Sequence, residues 1–221
     1  MADAMSSREE ILRRVRAANG GASTEAMARA AWSRMPRRYK REGTRQREVV
    51  LELLEDRLRD YDAGVVRCER GDVARSVAGM LTERGRRRLV VPAGFAREWL
   101  PSDFEFVVDD VIDGGIASTE LDGFDGVLTG STVAIAETGT VVLQNVAGQG
   151  RRATTLVPDY HLCLVRIEDV VETVPEAMDR LRATSGLATT FVSGPSATAD
   201  IEMTRIKGVH GPRYLDVILI A

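Results

Sequence analysis

The sequence predicts an α/β fold, a mostly parallel sheet flanked by helices, with a helical N-terminal arm. Two observations carry the prediction. Short runs of strand-forming residues alternate with segments whose apolar residues recur at helical spacing, and the strand–helix–strand order repeats at the interval of βαβ units. Two of the runs, RLVVP at Arg88–Pro92 and LCLVRI at Leu162–Ile167, have the apolar centre of buried strands. At 221 residues, 44% hydrophobic and 29% charged, the chain can bury a sizeable core as one generous domain, or as one domain with an N-terminal extension.

The elements follow in order. Ser6 to Ala18 places Ile11, Leu12 and Val15 at helical spacing behind a Ser-Ser start, with Glu9 and Glu10 in the first turn, and Asn19-Gly20-Gly21 ends this helix. A second helix begins near Ser23 or Thr24 and runs to Trp32, before Met35-Pro36 breaks the pattern. Residues 1–45 therefore read as a basic helical arm, too thin in its apolar stripe to be stable alone, and residues 46–221 as the α/β domain. In that domain Val49, Val50, Leu53, Leu54 and Leu58 mark a helix, Gly64–Cys68 a strand, Val73, Val77 and Leu81 a helix, and Arg88–Pro92 a strand. Phe95–Leu100 is a helical turn and Phe104–Asp109 a strand. Later come a turn at Gly148–Arg152, the strand Leu162–Ile167, and a helix opened by Val174-Pro175-Glu176 and running to Leu181. The strands Ala188–Val192 and Leu215–Ile220 complete the order.

Between them lies the stretch on which function is expected to centre, Gly126 to Leu143, GVLTGSTVAIAETGTVVL. Val127, Val133, Ile135, Val141, Val142 and Leu143 form strands, while Gly126, Gly130 and Gly139 allow positive φ or close backbone approach, so two or three short strands joined by tight turns are expected. Thr129, Ser131, Thr132, Glu137, Thr138 and Thr140 set small hydroxyls around one carboxylate, with turn N–H groups left to face an anion. The same residues also suit a plain β-hairpin, in which threonine follows strand propensity and glycine shapes turns.

A second unusual stretch, SGPSATADIEMTRIKGVHGPR at Ser193–Arg213, borders strands, and in open α/β sheets ligands gather beyond strand ends. Ser193, Gly194, Ser196, His210 and Arg213 are candidates for an anion pocket there. Arg213 offers a two-donor clamp for a carboxylate or phosphate, and His210 a proton near neutral pH. Glu137, Asp200 and Glu202 are candidate bases or nucleophiles. The plainer reading has His210 and Arg213 closing a loop and Asp200 acting as a cap or as the partner of Lys207.

Composition excludes several classes. Cys68 and Cys163 stand far apart in apolar segments, and His161 and His210 lack metal-ligand spacing, so neither a disulfide framework nor a metal held by this chain is expected. Asp109, Asp110 and Asp113 crowd one strand end, where a divalent cation competes with the commoner solvated end. The net charge of −3 argues against nucleic acid, and the basic run Arg34, Arg37, Arg38, Lys40, Arg41, Arg45 and Arg47 reads as a solvated helix face or docking arm. Phosphate-loop, dinucleotide-fingerprint and nucleophile-elbow motifs are missing. Apolar runs fall short of the roughly 18 residues of a membrane span, and the mixed-charge start does not resemble a secretory signal, so a cytoplasmic protein is expected.

At AIAETGTVVL, PDYHLCLV, VPEA, SGPSATADIE and GVHGPR the sequence resembles the lactate utilization protein C family, the short members of the LUD-domain group, over about Gly126 to Ile220. The resemblance implies a fold similar to the sugar isomerase and coenzyme A transferase superfamily, and a part in oxidising L-lactate to pyruvate beside iron–sulfur partner proteins. The motif residues are Glu137, Thr138, Gly139 and Thr140; Ser193, Gly194, Pro195, Ser196, Thr198, Asp200 and Glu202; and Gly208, His210, Gly211 and Arg213. Ala197 stands where many relatives have a basic residue, which removes a cation from that position. On this reading, turn N–H groups around Thr138, Gly139 and Thr140, with Ser196 and Arg213, bind a small carboxylate or a phosphate-bearing ligand, and Glu137 or His210 orients or deprotonates it. Iron–sulfur clusters are expected on the partners and no cofactor in this chain; a homo-oligomer is open. Two alternatives stand beside it: a coenzyme A transferase or sugar-phosphate isomerase-like enzyme with Glu137 as acyl acceptor, and a non-catalytic scaffold or regulatory subunit that organises an iron–sulfur partner.

Overall fold

The computed structural model describes residues 6–20, 24–110, 112–198, 206–207 and 210–221, with 198, 206 and 207 described by backbone alone. The chain divides into two compact units, Met1–Tyr39 and Lys40–Ala221. In the first, α1 (Ser7–Ala18) starts at a capping box: the Ser6 hydroxyl accepts from the Glu9 N–H and the Glu9 carboxylate accepts from the Ser6 N–H. Thr24 caps α2 (Glu25–Arg34) in the same way, without the reciprocal bond.

The second unit runs α3 (Arg47–Asp60), β1 (Gly64–Cys68), α4 (Val73–Glu83), β2 (Arg88–Pro92), β3 (Glu105–Asp109), α5 (Ser118–Leu121), β4 (Gly126–Thr129), β5 (Val133–Ile135) and β6 (Thr140–Gln144). It continues with α6 (Arg152–Leu156), β7 (Tyr160–Arg166), β8 (Val170–Val171), α7 (Val174–Leu181), β9 (Thr189–Val192), β10 (Ala197–Thr198), β11 (Ile206–Lys207) and β12 (Tyr214–Ile220). Six strands form one sheet in the order β1-β12-β7-β4-β2-β3, with every neighbouring pair parallel. A second sheet, β8-β5-β6-β9, is mixed, and β10 pairs with β11.

Both faces of the large sheet are covered, which is why its inner strands are apolar at successive positions. Leu162 and Leu164 of β7 and Ile218 and Ile220 of β12 join Val73, Val77 and Leu81 of α4 on one face. The intervening Cys163, Val165, Leu215, Val217 and Leu219 pack on the other face against Leu51, Leu54 and Leu58 of α3 and the inner side of the second sheet. The outer side of that second sheet, through Val133, Ile135 and Val142, meets Ala177 and Leu181 of α7.

The central stretch is more than a hairpin. Its first strand, β4, belongs to the large sheet, whereas β5 and β6 form the antiparallel hairpin of the second, so Gly130–Thr132 carries the chain from one layer to the next. β7 begins at Tyr160, two residues before the expected Leu162, because Tyr160 and His161 are paired to Tyr214 and Leu215 of β12. Sheet pairing thus draws His161 into the core.

Two buried carboxylates fix this layout. Asp216 on β12 accepts from the Gly64 N–H (3.0 Å), from Arg84 Nε and Nη2 (2.9 and 2.6 Å) and from the Tyr160 hydroxyl (2.9 Å), joining β1, β7 and the end of α4. Gly64 has no alternative there, since an added Cβ would lie 2.4 Å from Asp216 Oδ1. Asp109, at the end of β3, accepts from Arg151 Nε (3.0 Å), from the Ile116 N–H (2.7 Å) and from the Thr154 hydroxyl. Of the acidic cluster anticipated at this strand end, Asp109 is buried and neutralised by Arg151 of the GQGRR turn, whereas Asp110 is half-buried and Asp113 is exposed to solvent. Among the described residues, no group of three or more His, Cys, Asp or Glu is placed to hold a metal ion, and no helix is long and apolar enough to cross a membrane.

Replacing Asp216 with Ala removes the buried acceptor for the half-buried Arg84 guanidinium and for two further donors, and a loss of about 3 kcal/mol in unfolding free energy is expected. A lower urea midpoint with an unchanged slope is the result that fits; an unchanged midpoint would show that the sheet does not depend on it.

Candidate functional site

A cleft of about 240 Å³ is bounded by the segment from Ser193 to Ala197, the loop His210–Pro212, α6, β9 and the first residues of β7 and β12. It brings together Ser193, Gly194, Ser196 and His210 of the expected site. Ser196 ties its two rims: its N–H donates to the Pro212 carbonyl (2.8 Å) and its hydroxyl accepts from the His210 N–H (3.1 Å). Gly194, at φ +83°, is the residue that permits this turn, because an added Cβ would sit 2.5 Å from Tyr61 Cβ. Behind the rim, Ser193 Oγ, Thr140 Oγ1 and Thr138 Oγ1 form a chain of hydroxyls with spacings of 2.7 Å each.

At the floor lies a residue that sequence reasoning did not nominate. His161 is 1% exposed and lines the cleft. Its Nε2 is 2.8 Å from Thr129 Oγ1, and the Thr129 hydroxyl donates to Cys163 Sγ at 3.6 Å. With that one proton committed, Thr129 accepts from His161 Nε2–H, which assigns Nδ1 as the unprotonated nitrogen. No described residue hydrogen-bonds to Nδ1. Burial lowers the His161 pKa to about 4, so the ring is neutral near pH 7, and burial pushes the Cys163 thiol up to about 12. The signal for His161 was available in LCLVRI: extending that buried strand two residues upstream places an imidazole in the core.

The other expected residues sit elsewhere. Glu137 is exposed and pairs with Lys40 Nζ (3.1 Å) and Arg45 Nη1 (3.4 Å), so it does not present a free carboxylate to the cleft. The same two cations bind Glu172, which is buried and also accepts from the N–H groups of Thr44 (2.7 Å) and Arg45 (2.8 Å). Burial alone would raise the Glu172 pKa; Lys40 and the two N–H groups outweigh it and bring the value to about 2. The segment packs so closely that a Cβ on Gly43 would lie 2.5 Å from Glu172 Oε2. Of the turn N–H groups expected to cradle an anion, that of Gly139 donates to Ala136 O (3.3 Å), and the neighbouring Glu137 N–H donates to Glu172 O (3.0 Å). Gly139, at φ +58°, instead serves the approach of this turn to Arg57. Arg213 is clamped on Asp159 (2.6 and 2.9 Å), so its two-donor edge is closed by an internal carboxylate. The loop carrying His210 and Arg213 leads into β12, which puts the cleft at the amino ends of β7 and β12. Asp200, Glu202, Gly208 and the side chain of Thr198 lie outside the described residues.

Residues 112–220 match the family model of the LUD domain. The chain is 42% identical to lactate utilization protein C of Deinococcus radiodurans, over 79% of this chain and 81% of that one. The chain belongs to the lactate utilization protein C family of LUD-domain proteins. It is also 28% identical to lactate utilization protein C 1 of Bacillus mycoides over 98% of both chains. A solved structure of a DUF162 family protein from Deinococcus radiodurans is 36% identical, with a TM-score of 0.70 covering 80% of this chain and 100% of that one. Within this LUD-domain chain the matched region takes in β4 to β12, so it includes every described residue that lines the cleft.

Two titrations follow from the geometry. Imidazole nitrogen NMR is expected to find His161 neutral at pH 6 and titrating near pH 4; a midpoint near 6.5 would place the ring in solvent. Glu172 has a native pKa near 2 against an ordinary 4.5, so the folded state binds fewer protons than the unfolded chain between those values. Its contribution is complete above about pH 4.5 and is lost as pH falls toward 2, and urea midpoints of Glu172→Gln are expected to fall less steeply across that window than those of the wild type.

Proposed function

We propose that this chain is a cytoplasmic component of lactate utilization that binds a small carboxylate, lactate or its oxidation product, in the cleft between Ser193–Ser196 and His210, with His161 exchanging a proton with it. One observation carries the reading: the buried, neutral imidazole of His161 lines a cleft edged by hydroxyls, and its Nδ1 has no partner among the described residues. The names of the relatives supply the metabolic setting. Oxidising an α-hydroxy acid to an α-keto acid releases two protons and two electrons; His161 Nδ1 accepts the hydroxyl proton, the Cα proton goes to solvent as the two electrons leave to an external acceptor, and Ser193 and Ser196 hold the carboxylate.

The electrons need an acceptor outside this chain. Cys68 ends β1 and Cys163 lies within β7, with β12 between them, and Cys163 is a buried thiol; these two do not form a cluster-binding set. Iron–sulfur partner proteins fit that requirement. The transferase or isomerase alternative depends on Glu137 as a nucleophile, and the ion pairs to Lys40 and Arg45 count against it.

Gentle purification of the tagged chain from cells growing on lactate is expected to bring iron and lactate-dependent dye reduction with it. The His161→Gln variant should keep the iron and lose dye reduction by about 100-fold. Full dye reduction in that variant would remove the imidazole from the mechanism, and a pure, iron-free, inactive chain would remove the partner.

A further inference from the structure

The switch point of the parallel sheet lies away from the cleft. From β2 the chain steps outward to β3, then passes back over β2 to β4 and continues through β7 to β12. The connection from β2 to β3 packs Trp99 and Leu100 on the α4 face, and the connection from β3 to β4 packs Leu121 of α5 on the other. The connection leaving β2 lies on the α4 face, while the chain leaving β4 crosses through Gly130–Thr132 to the second sheet on the other face, so the chain parts between the carboxyl ends of β2 and β4, the place where open α/β sheets bind ligands. A cavity of about 220 Å³ occupies it. Gly94 and Phe95 after β2, Gly130 and Ser131 after β4, and Leu164 near the end of β7 contribute to its lining.

The frame of this cavity is built tightly. Gly94 and Gly148 take φ values of +79° and +75°, and a Cβ on Gly94 would lie 2.8 Å from Ala147 Cβ, so the loops after β2 and β6 meet only through glycine. Phe95 and Trp99 stand edge to face, with ring centroids 6.1 Å apart at 77°, and both line the space. Opposite in chemistry is Gln149, 9% exposed and also in the lining. Its Oε1 accepts from the Thr132 hydroxyl (2.8 Å) and the Gln144 N–H (2.7 Å), which fixes the amide orientation. The Nε2 group is thereby left with two donors that meet no acceptor among the described residues.

We propose that this cavity binds a single-ring heteroaromatic group bearing a carbonyl, of the size and chemistry of nicotinamide or a pyrimidine base, with its ring against Phe95 and Trp99 and its carbonyl accepting from Gln149 Nε2. An aromatic wall rewards a flat π-system, and a neutral, oriented amide donor selects a neutral acceptor over an anion. Among the described residues, the cation in the lining is Arg166, which already holds Asp169 at 2.8 Å, a further reason that the ring rather than a phosphate is what the site reads.

The test uses the fluorescence of Trp99 in the full chain carrying Trp32→Phe, which leaves a single tryptophan. Titrated with nicotinamide mononucleotide and uridine monophosphate, this protein is expected to show saturable quenching by at least one, and none by ribose 5-phosphate. Gly130→Ala adds a Cβ that meets nothing nearer than the Gly148 carbonyl at 3.7 Å, so it fills the cavity while the fold tolerates it. Its affinity is expected to fall roughly fivefold or more with thermal unfolding unchanged. Absence of saturable quenching by either nucleotide, equal quenching by ribose 5-phosphate, or unaltered affinity in Gly130→Ala would overturn the proposal. The cavity and the cleft lie toward opposite ends of β7, so failure here leaves the lactate reading standing.

Discussion

Asp216 takes four hydrogen bonds in the interior, and the amino ends of β1, β12 and β7 are aligned by them. An unpaired carboxylate at 2% exposure would be strongly destabilising, so the position is tenable only with Arg84, Tyr160 and the Gly64 N–H all in place. That requirement propagates. Tyr160 is held by its hydroxyl, His161 follows it on the opposite face of β7, and Leu215 precedes Asp216 at the cleft. The floor of the cleft is thus set by a charge that faces the other side of the sheet.

Two further buried carboxylates repeat the device where the chain is irregular. Asp109 fastens the end of β3 to α6 through Arg151 and Thr154, and Glu172 fastens the segment from Lys40 to Arg45 beside β8. Each accepts from backbone N–H groups as well as a cation, which is what makes burial of the charge tolerable. The contrast between Glu172 and Glu137 shows how environment separates two chemically identical groups. Both meet Lys40 and Arg45, yet Glu172 is enclosed and receives backbone donors, which with Lys40 bring its pKa down to about 2, whereas Glu137 is exposed.

The large sheet was legible because its strands carry apolar residues for both faces, a signal that needs no knowledge of partners. RLVVP became β2 at the expected residues, and Gly64–Cys68 became β1. Legibility failed where pairing or charge decided the outcome. β8 is two residues long and exists because it lies against β5, and α6 follows the expected Gly148–Arg152 turn without a sequence signal of its own, its Thr154 and the preceding Arg151 held by Asp109. The closeness of Ser193, Gly194, Ser196 and His210, neighbours around the cleft, was legible in the sequence. Arg213 was not, because a guanidinium free in sequence has no visible claim on it until Asp159 is folded beside it. His161 was passed over for a related reason: a histidine without metal spacing reads as a core residue until a cleft opens on one of its nitrogens.

The low basicity of His161 bears directly on what it can do. In a hydrolytic triad an imidazole is stabilised in its charged form by a buried carboxylate, and it can store the proton it takes. Here Nε2 faces a neutral hydroxyl that leans on a thiol, and burial alone sets the pKa near 4. An imidazolium formed on such a ring is a strong acid and passes its proton on at once, so it serves as a relay and not as a reservoir. Proton removal from an alcohol by so weak a base becomes favourable only as electrons leave the adjoining carbon, because the charge left on oxygen is then consumed in the new carbonyl. For the proposed oxidation, an imidazole of this kind would need an electron acceptor already docked.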